Sequence, residues 1–368
     1  MYRLKKALYG LKQAPRAWYS RLDKYLLQQG FKRGNTDSNL YIKEENNSLV
    51  IVEVYVDDII FGSDDDRLSN KFAESMKQEF EMSMLGEMKF FLGLKINQCD
   101  KGISISQTKY INEMLKKFKM EDSKPVGTPM VTGCKLSKDD TTEDVDQTMY
   151  RSMIGSLLYA TATRPDIMHV VCQVGRFQAS PKHTHLLAVK RILRYLKGTA
   201  EYGLWYPTGN QLDLYAFTDA DWAGCIDDRK STSGAAFFLG GCLVSWSSKK
   251  QSSVSLSTAE AEYIAAAGCC TQIIWMKQML KDMHIQYDDP IPIFCDNTSA
   301  ISISKNPVMH SKTKHIPVKH HFLRDKVLAK EIQLEYVGTK DQIADIFTKP
   351  LPKSQFETLR AQLGVCPL

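Results

Sequence analysis

Residues 212–224 read Leu212-Asp213-Leu214-Tyr215-Ala216-Phe217-Thr218-Asp219-Ala220-Asp221-Trp222-Ala223-Gly224. Leu212, Leu214 and Ala216 alternate with Asp213, Tyr215 and Phe217, the period of two that marks a strand with unlike faces. The alternation runs into acidic residues, and Trp222-Ala223-Gly224 begins a turn. Asp219 is therefore expected at the carboxyl end of a strand, where open α/β sheets place their ligands.

Working downstream, Ala235 to Leu239 and Leu243 to Ser247 read as two further strands, and a long helix is expected from about Thr258 to Met283. After Pro290, Ile291 to Cys295 is a short buried strand ending at Asp296, in a position equivalent to that of Asp219. Ile332 to Val337 is another, followed by a final helix around Gln342 to Phe347. Strands alternating with helices in this order predict an α/β domain. Ser257-Thr258-Ala259-Glu260 has capping-box spacing, so Glu260 is expected to turn back to the helix start and serve structure. Asp221 would share a face with Asp219 if the strand continued, but the turn beginning at Trp222 argues against a role for it.

Upstream, Leu40-Tyr41-Ile42, a polar turn at Glu44 to Ser48, Leu49 to Val56 and Ile59 to Gly62 predict short strands with Asp57 and Asp58 at the tip of a tight hairpin. Leu68, Phe72, Met76 and Phe80 recur at fourfold spacing, one face of a helix, and Asp64, Asp65 and Asp66 ahead of it suit a helix start. Between Met120 and Thr148 aromatic residues are absent and Ser, Thr, Asp, Lys, Gly and Pro accumulate, which predicts an extended connector. Beyond it, Lys190, Arg194 and Lys197 lie with Arg191 on the basic face of a helix that Gly198 is placed to end. That face is either solvated or in contact with phosphate.

The chain has 368 residues, 43% hydrophobic, with a formal net charge of +6. That length accommodates roughly two or three domains. Its longest apolar stretches fall short of the roughly 20 residues that span a bilayer, so no membrane segment is expected. Nine cysteines without a C-x-x-C pair, and no signal-peptide pattern, suit a reducing compartment. Intracellular residence, cytoplasmic or nuclear, is expected. The basic N-terminus, with no acid before Asp23, has the look of a transit peptide, but the motif there accounts for the same residues better.

Three motifs taken together, Asp219 to Gly224, Ser257-Thr258-Ala259-Glu260-Ala261-Glu262-Tyr263 and Lys340-Asp341-Gln342-Ile343-Ala344-Asp345-Ile346-Phe347-Thr348-Lys349-Pro350, resemble the ribonuclease H domain of copia-type LTR retrotransposons over most of residues 206–350. The resemblance implies a metal-dependent endonuclease with Asp219, Glu262, Asp296 and Asp345 as ligands and catalytic residues. They would hold two Mg²⁺ or Mn²⁺ ions about 4 Å apart, since hard divalent cations need converging carboxylates. The implied substrate is the RNA strand of an RNA:DNA hybrid, cut to leave 5′ phosphates. Lys312, Lys314 and His315 are expected either as contacts to substrate phosphate or as a solvated loop. A zinc site built from His310, His315, His320, His321 and Cys295 is disfavoured, because the spacing matches no finger.

Tyr55-Val56-Asp57-Asp58 resembles the active-site turn of reverse transcriptases, and Leu8-Tyr9-Gly10-Leu11-Lys12-Gln13-Ala14-Pro15-Arg16-Ala17-Trp18-Tyr19 resembles the copia-type motif beneath the templating base. Asp57 and Asp58 would then bind metal, and Lys12, Gln13 and Arg16 nucleic acid, RNA or DNA. The family's third aspartate precedes the Gln13 motif, and no aspartate precedes Asp23. The expectation is a chain that does not polymerise alone, whose fingers and first palm strands belong to an upstream part of a polyprotein.

The expected organisation is a mixed α/β and α+β chain. A partial palm occupies residues 1–100. Thumb and connection follow over 101–205, with a linker near 120–148, and a ribonuclease H-like α/β domain covers 206–368. Two alternatives are a catalytically inactive nucleic-acid-binding relic and an integrase or transposase. The position of Glu262 on the first long helix argues against the latter.

Overall fold

The computed structural model describes residue 8, residues 10–305 and residues 316–368. The chain divides into two compact units, one of Met1–Gly86 with Ile274–Asp288 and the other of Glu87–Ile273 with Asp289–Leu368.

In the first unit a helix α1 (Ala14–Gln28) carries Pro15 in its first turn, where a missing N–H costs nothing. Four strands follow, β1 (Lys32–Arg33), β2 (Leu40–Glu45), β3 (Ser48–Tyr55) and β4 (Asp58–Ser63), paired in sequence order as an antiparallel sheet. Val50, Val52 and Val54 alternate inward along β3. They meet Leu22 and Leu26 of α1 and Leu68, Phe72 and Met76 of α2 (Asp66–Glu79). The Asp65 carboxylate accepts from the Arg67 N–H and caps α2, with Asp66 in its first turn, as the helix-start reading expects.

The second unit holds two sheets. One is antiparallel and joins β5 (Phe90–Phe91), β6 (Leu94–Cys99), β7 (Gly102–Ser106), β8 (Tyr202–Pro207) and β14 (Val365–Pro367) in the order β14-β8-β7-β6-β5. Helices α3 (Thr108–Lys117), α4 (Gln147–Ala160), α5 (Met168–Val174) and α6 (His183–Gly198) lie between β7 and β8 in sequence. The residues from Phe118 to Asp146 form no helix or extended strand pair, only a bridge from Asp144 to Lys182, in keeping with the expected connector.

The other sheet contains β9 (Leu214–Asp221), β10 (Thr232–Leu239), β11 (Cys242–Lys250), β12 (Ile291–Cys295) and β13 (Ile332–Tyr336), in the order β11-β10-β9-β12-β13. The first three run antiparallel, and β9-β12 and β12-β13 are parallel. This is the strand order of the ribonuclease H fold. Helix α7 (Thr258–Asp282) follows β11, and α8 (Thr298–Lys305), α9 (Phe322–Leu328) and α10 (Lys353–Gln362) complete the order. The segments 101–205 and 206–368, the latter without Ile274–Asp288, share this unit and one core, in which Leu193 and Leu196 of α6 cluster with Phe217, Phe238, Phe347 and Phe356.

Two local expectations change. The helix expected around Gln342 to Phe347 is a pair of 3₁₀ turns, Thr339–Asp341 and Ile343–Phe347. Gln342 between them is extended, and its side chain caps the second turn by accepting from the Ala344 N–H. The regular helix comes later, at α10, directly after Pro352. Strand β9 also runs two residues past Asp219, to Asp221, because Thr232 and Ser233 continue its ladder. No helix among the described residues is long and apolar enough to cross a membrane.

Candidate active site

Asp219 is 3% exposed on β9, between Phe217 and Asp221 on one face of the strand. Its cross-strand partner is Gly234 on β10. A Cβ at Gly234 would lie 2.7 Å from Thr348 Cγ2, 2.8 Å from Phe347 Cβ and 2.9 Å from the Ala344 carbonyl. The missing side chain is thus the space into which the turn Ile343–Phe347 settles on the sheet. Gly234→Ala is expected to cost about 1–3 kcal/mol through overpacking and to weaken the site by moving Asp345. Thermal denaturation checks this, and an unchanged midpoint would contradict it.

Three segments meet Asp219. Helix α7 contributes Glu262, 5% exposed, whose Oε1 accepts from the Ala220 N–H at 3.1 Å. The capping interaction predicted for Glu260 is present, with Ser257 Oγ accepting from the Glu260 N–H and Glu260 Oε2 accepting from the Leu256 N–H. One acid of the pair closes the helix start and the other turns to the sheet edge. Strand β12 ends in Asp296, half-buried, whose Oδ2 accepts from the Thr339 hydroxyl at 3.0 Å. The 3₁₀ turn brings Asp345, 1% exposed, and Thr348, whose hydroxyl donates to Asp219. Gln342 fixes that turn by donating from Nε2 to the Thr218 carbonyl at 2.9 Å. Lys349 Nζ lies 2.8 Å from Asp345 Oδ1.

The charges register this convergence. Burial, then Asp219 and Asp296, push the Glu262 carboxyl up to about 9. Burial and Asp219 push Asp345 up to about 7 against the pull of Lys349. Asp296 is raised by burial and then by Asp219, and so is Asp221. Burial alone would lower the Lys349 ammonium, but Asp219, Asp345 and Asp296 outweigh it and hold it raised. Carboxylates this close cannot all ionise cheaply without cations. Asp221 is thus nearer the cluster than its turn suggested.

Ligand atoms of Glu262, Cys295 and Asp296 lie within 4.8 Å of one another. Burial and the neighbouring Glu262 push the Cys295 thiol up, and as a soft donor it suits Mg²⁺ less well than the carboxylates around it. The donor set is then carboxylate oxygen, which fits Mg²⁺ or Mn²⁺ and not zinc. Thr339, Gln342, Thr348, Lys349 and Gly234 went unassigned in the sequence. Four of them stand within the quoted 340–350 motif or beside it, the only signal that marked them.

Lys312, Lys314, His315 and His310 lie outside the described residues. His321 sits with its Nδ1 3.2 Å from the Tyr263 hydroxyl. On α6, Arg194 donates from Nε to the Lys124 carbonyl at 2.7 Å and Arg191 to Thr128 Oγ1 at 2.9 Å. That basic face therefore grips the connector, with Lys190 and Lys197 half-buried beside it.

In the first unit, Asp57 lies in the two-residue turn Val56-Asp57 and Asp58 opens β4, paired with Tyr55. Val56 has φ 57°, a left-handed backbone rare for a β-branched residue, and is 59% exposed. The Trp18 indole donates to the Val56 carbonyl at 2.7 Å, tying α1 to the hairpin. Lys12, Gln13 and Arg16 are exposed at the start of α1. Among the described residues no third carboxylate, histidine or cysteine joins Asp57 and Asp58 in a metal-sized cluster.

A family model described as reverse transcriptase (RNA-dependent DNA polymerase) matches residues 1–132. A retrovirus-related Pol polyprotein from transposon RE1 of Arabidopsis thaliana is 42% identical over 363 residues, covering 99% of this chain and 25% of that protein. A transposon Ty5-1 protein of Saccharomyces cerevisiae is 33% identical over 269 residues, covering 72% of this chain and 87% of that protein. The N-terminal RNase H domain of a Mycobacterium tuberculosis protein, solved as a fusion with maltose binding protein, aligns with 41% of this chain and 98% of that one at 10% identity and TM-score 0.26, too low to bear on the fold. The chain spans about a quarter of the length of the Pol polyproteins it matches. With both groups of motifs in place and this identity along its whole length, the chain belongs to the copia-type Pol polyproteins of LTR retrotransposons.

Proposed function

We propose that the chain hydrolyses the RNA strand of RNA:DNA hybrids at Asp219, Glu262, Asp296 and Asp345, with two Mg²⁺ or Mn²⁺ ions. One observation carries the reading: three acids far apart in sequence, Glu262, Asp296 and Asp345, meet Asp219, each raised by burial and then by its charge. When bound, the ions activate water and stabilise charge on the leaving 3′ oxygen. Asp219, near the end of β9, holds the central position, and Asp296 follows the end of the neighbouring β12. Glu262 is fixed by the Ala220 N–H. Thr348 and Gln342 keep the Asp345 turn against β9. Lys349 offsets part of the negative charge through Asp345. Incubating the purified chain with a labelled hybrid and Mg²⁺, with and without EDTA, tests this. Metal-dependent cutting of the RNA strand supports it, and binding without cutting would favour a non-catalytic nucleic-acid-binding protein. We assign no polymerase step to Asp57 and Asp58, which lack a third carboxylate among the described residues.

The same acids set a pH dependence. In the metal-free fold, Glu262 at about 9 and Asp345 at about 7 keep protons that the unfolded chain releases near the ordinary carboxylate range. A folded-state value raised in this way gives stability that is full below the unfolded value and lost as pH rises through 7 and then 9. The metal-free Tm is expected to fall across that window. Mg²⁺ or Mn²⁺ takes the place of those protons, so its stabilisation should grow with pH. Thermal melts with and without metal at pH values of about 6 and 9 check this, and equal metal-induced shifts at both would contradict it.

A further inference from the structure

Beside the carboxylate cluster, within the same unit, lies a cleft lined by Lys135 and Lys138 of the connector, Gln173 and Arg176 at the end of α5, Asp227 in the β9–β10 loop and Lys250 at the end of β11. Four cations from three segments face one acid there. Asp227 is already engaged, accepting from Ser137 Oγ at 2.7 Å and the Lys138 N–H at 3.1 Å, and so pins the connector into the wall. Lys250 is held 2.8 Å from Asp228. Among the described residues no ion pair engages Lys135, Lys138 or Arg176.

A solvated surface would let such side chains spread into water. Here a fold-built concavity gathers them, and a cleft lined by one sign of charge focuses its field on an anion. The cleft also adjoins the acids. Arg176 Nη2 donates to Thr232 Oγ1 at 3.2 Å, and Thr232 is the cross-strand partner of Asp221. Lys135 and Arg176 both act on the Asp221 charge.

We propose that this cleft is an anion subsite that seats a backbone phosphate of the nucleic acid whose cleaved phosphate lies at the carboxylate cluster. The subsite draws a strand toward a negatively charged centre that would otherwise repel it. It rests on the nuclease reading only for what occupies the neighbouring site.

The test is binding of an RNA:DNA hybrid in EDTA, where no cleavage occurs, as a function of salt. Lys135→Ala/Lys138→Ala, on an exposed connector, is expected to weaken binding roughly threefold to tenfold and to flatten the slope of log K against log salt by about one for each phosphate no longer neutralised. A control, Lys109→Ala/Lys116→Ala, removes two exposed lysines of α3 and should leave the slope unchanged. Equal slopes for wild type and the Lys135/Lys138 variant would overturn the proposal. So would equal slopes accompanied by a lost thermal shift from inorganic phosphate, which would mark a free-phosphate site. Should the slope flatten while no Mg²⁺-dependent cleavage is found, the subsite stands and the nuclease reading falls.

Discussion

Asp219→Asn is expected to lower cleavage of the RNA strand by roughly a thousandfold or more, about 4 kcal/mol of transition-state stabilisation. Asp219 is the residue to which the others answer. Thr348 donates to it, and its charge raises Glu262, Asp296 and Asp345 and helps hold Lys349 charged. An amide there is nearly the same size but cannot supply the negative oxygen that a divalent cation needs. The same change removes a buried like charge from the cluster, so the metal-free protein should melt at an equal or higher temperature than wild type. The two readouts move oppositely, which separates loss of the site from loss of the fold. Single-turnover cleavage and thermal melts on the same preparations measure both. Wild-type cleavage rates in the variant would end the assignment.

Arg164→Met is expected to destabilise the second unit by about 3–5 kcal/mol, because it strands a buried carboxylate. Arg164 and Asp166 are both fully buried. The guanidinium gives Asp166 two bonds, at 3.0 and 2.7 Å, and donates to the Thr199 carbonyl and hydroxyl at 2.8 Å each. Tyr195 completes the Asp166 shell, and Arg360 donates to the Tyr195 hydroxyl at 3.1 Å. The network therefore joins the turn before α5, the end of α6 and helix α10. Methionine fills much of the volume but leaves the buried Asp166 carboxylate with the Tyr195 hydroxyl and without its opposite charge. Arg164→Met/Asp166→Leu removes both charges and should recover much of the loss. Urea unfolding of the three proteins decides the matter. A single variant that unfolds with the wild type would show that the pair contributes no net stability.

Much of the candidate site could be read along the chain. Asp296 stands directly after a strand gives out and Asp219 near the end of one, within its last three residues, and that placement follows from side-chain alternation and turn residues within a few positions of each. The division of labour between Glu260 and Glu262 was also local, since a capping box spans three residues. The hairpin carrying Asp57 and Asp58 was legible for the same reason, its pairing set by a two-residue turn.

Other features depend on contacts that no local pattern encodes. Thr348 reaches Asp219 across 129 positions and Gln342 reaches Thr218 across 124. The space that admits them is a missing Cβ at Gly234. A basic stripe on α6 reads as either solvated or in contact with phosphate, yet its two arginines hold the connector, while the cations left without an ion pair come from two distant segments. The turn at 343–347 was mistaken for a helix because its apolar residues suit either, and its docking on β9 decided between them. The amino-acid order alone placed Asp219, Asp296 and the Glu260–Glu262 pair on their strands and helix, because strand alternation and helix capping act between near neighbours, and resemblance to a ribonuclease H domain supplied the full set of four acids. The tertiary structure decided their protonation, their clamps and the basic cleft beside them, because burial and charge depend on what distant segments bring within a few ångströms.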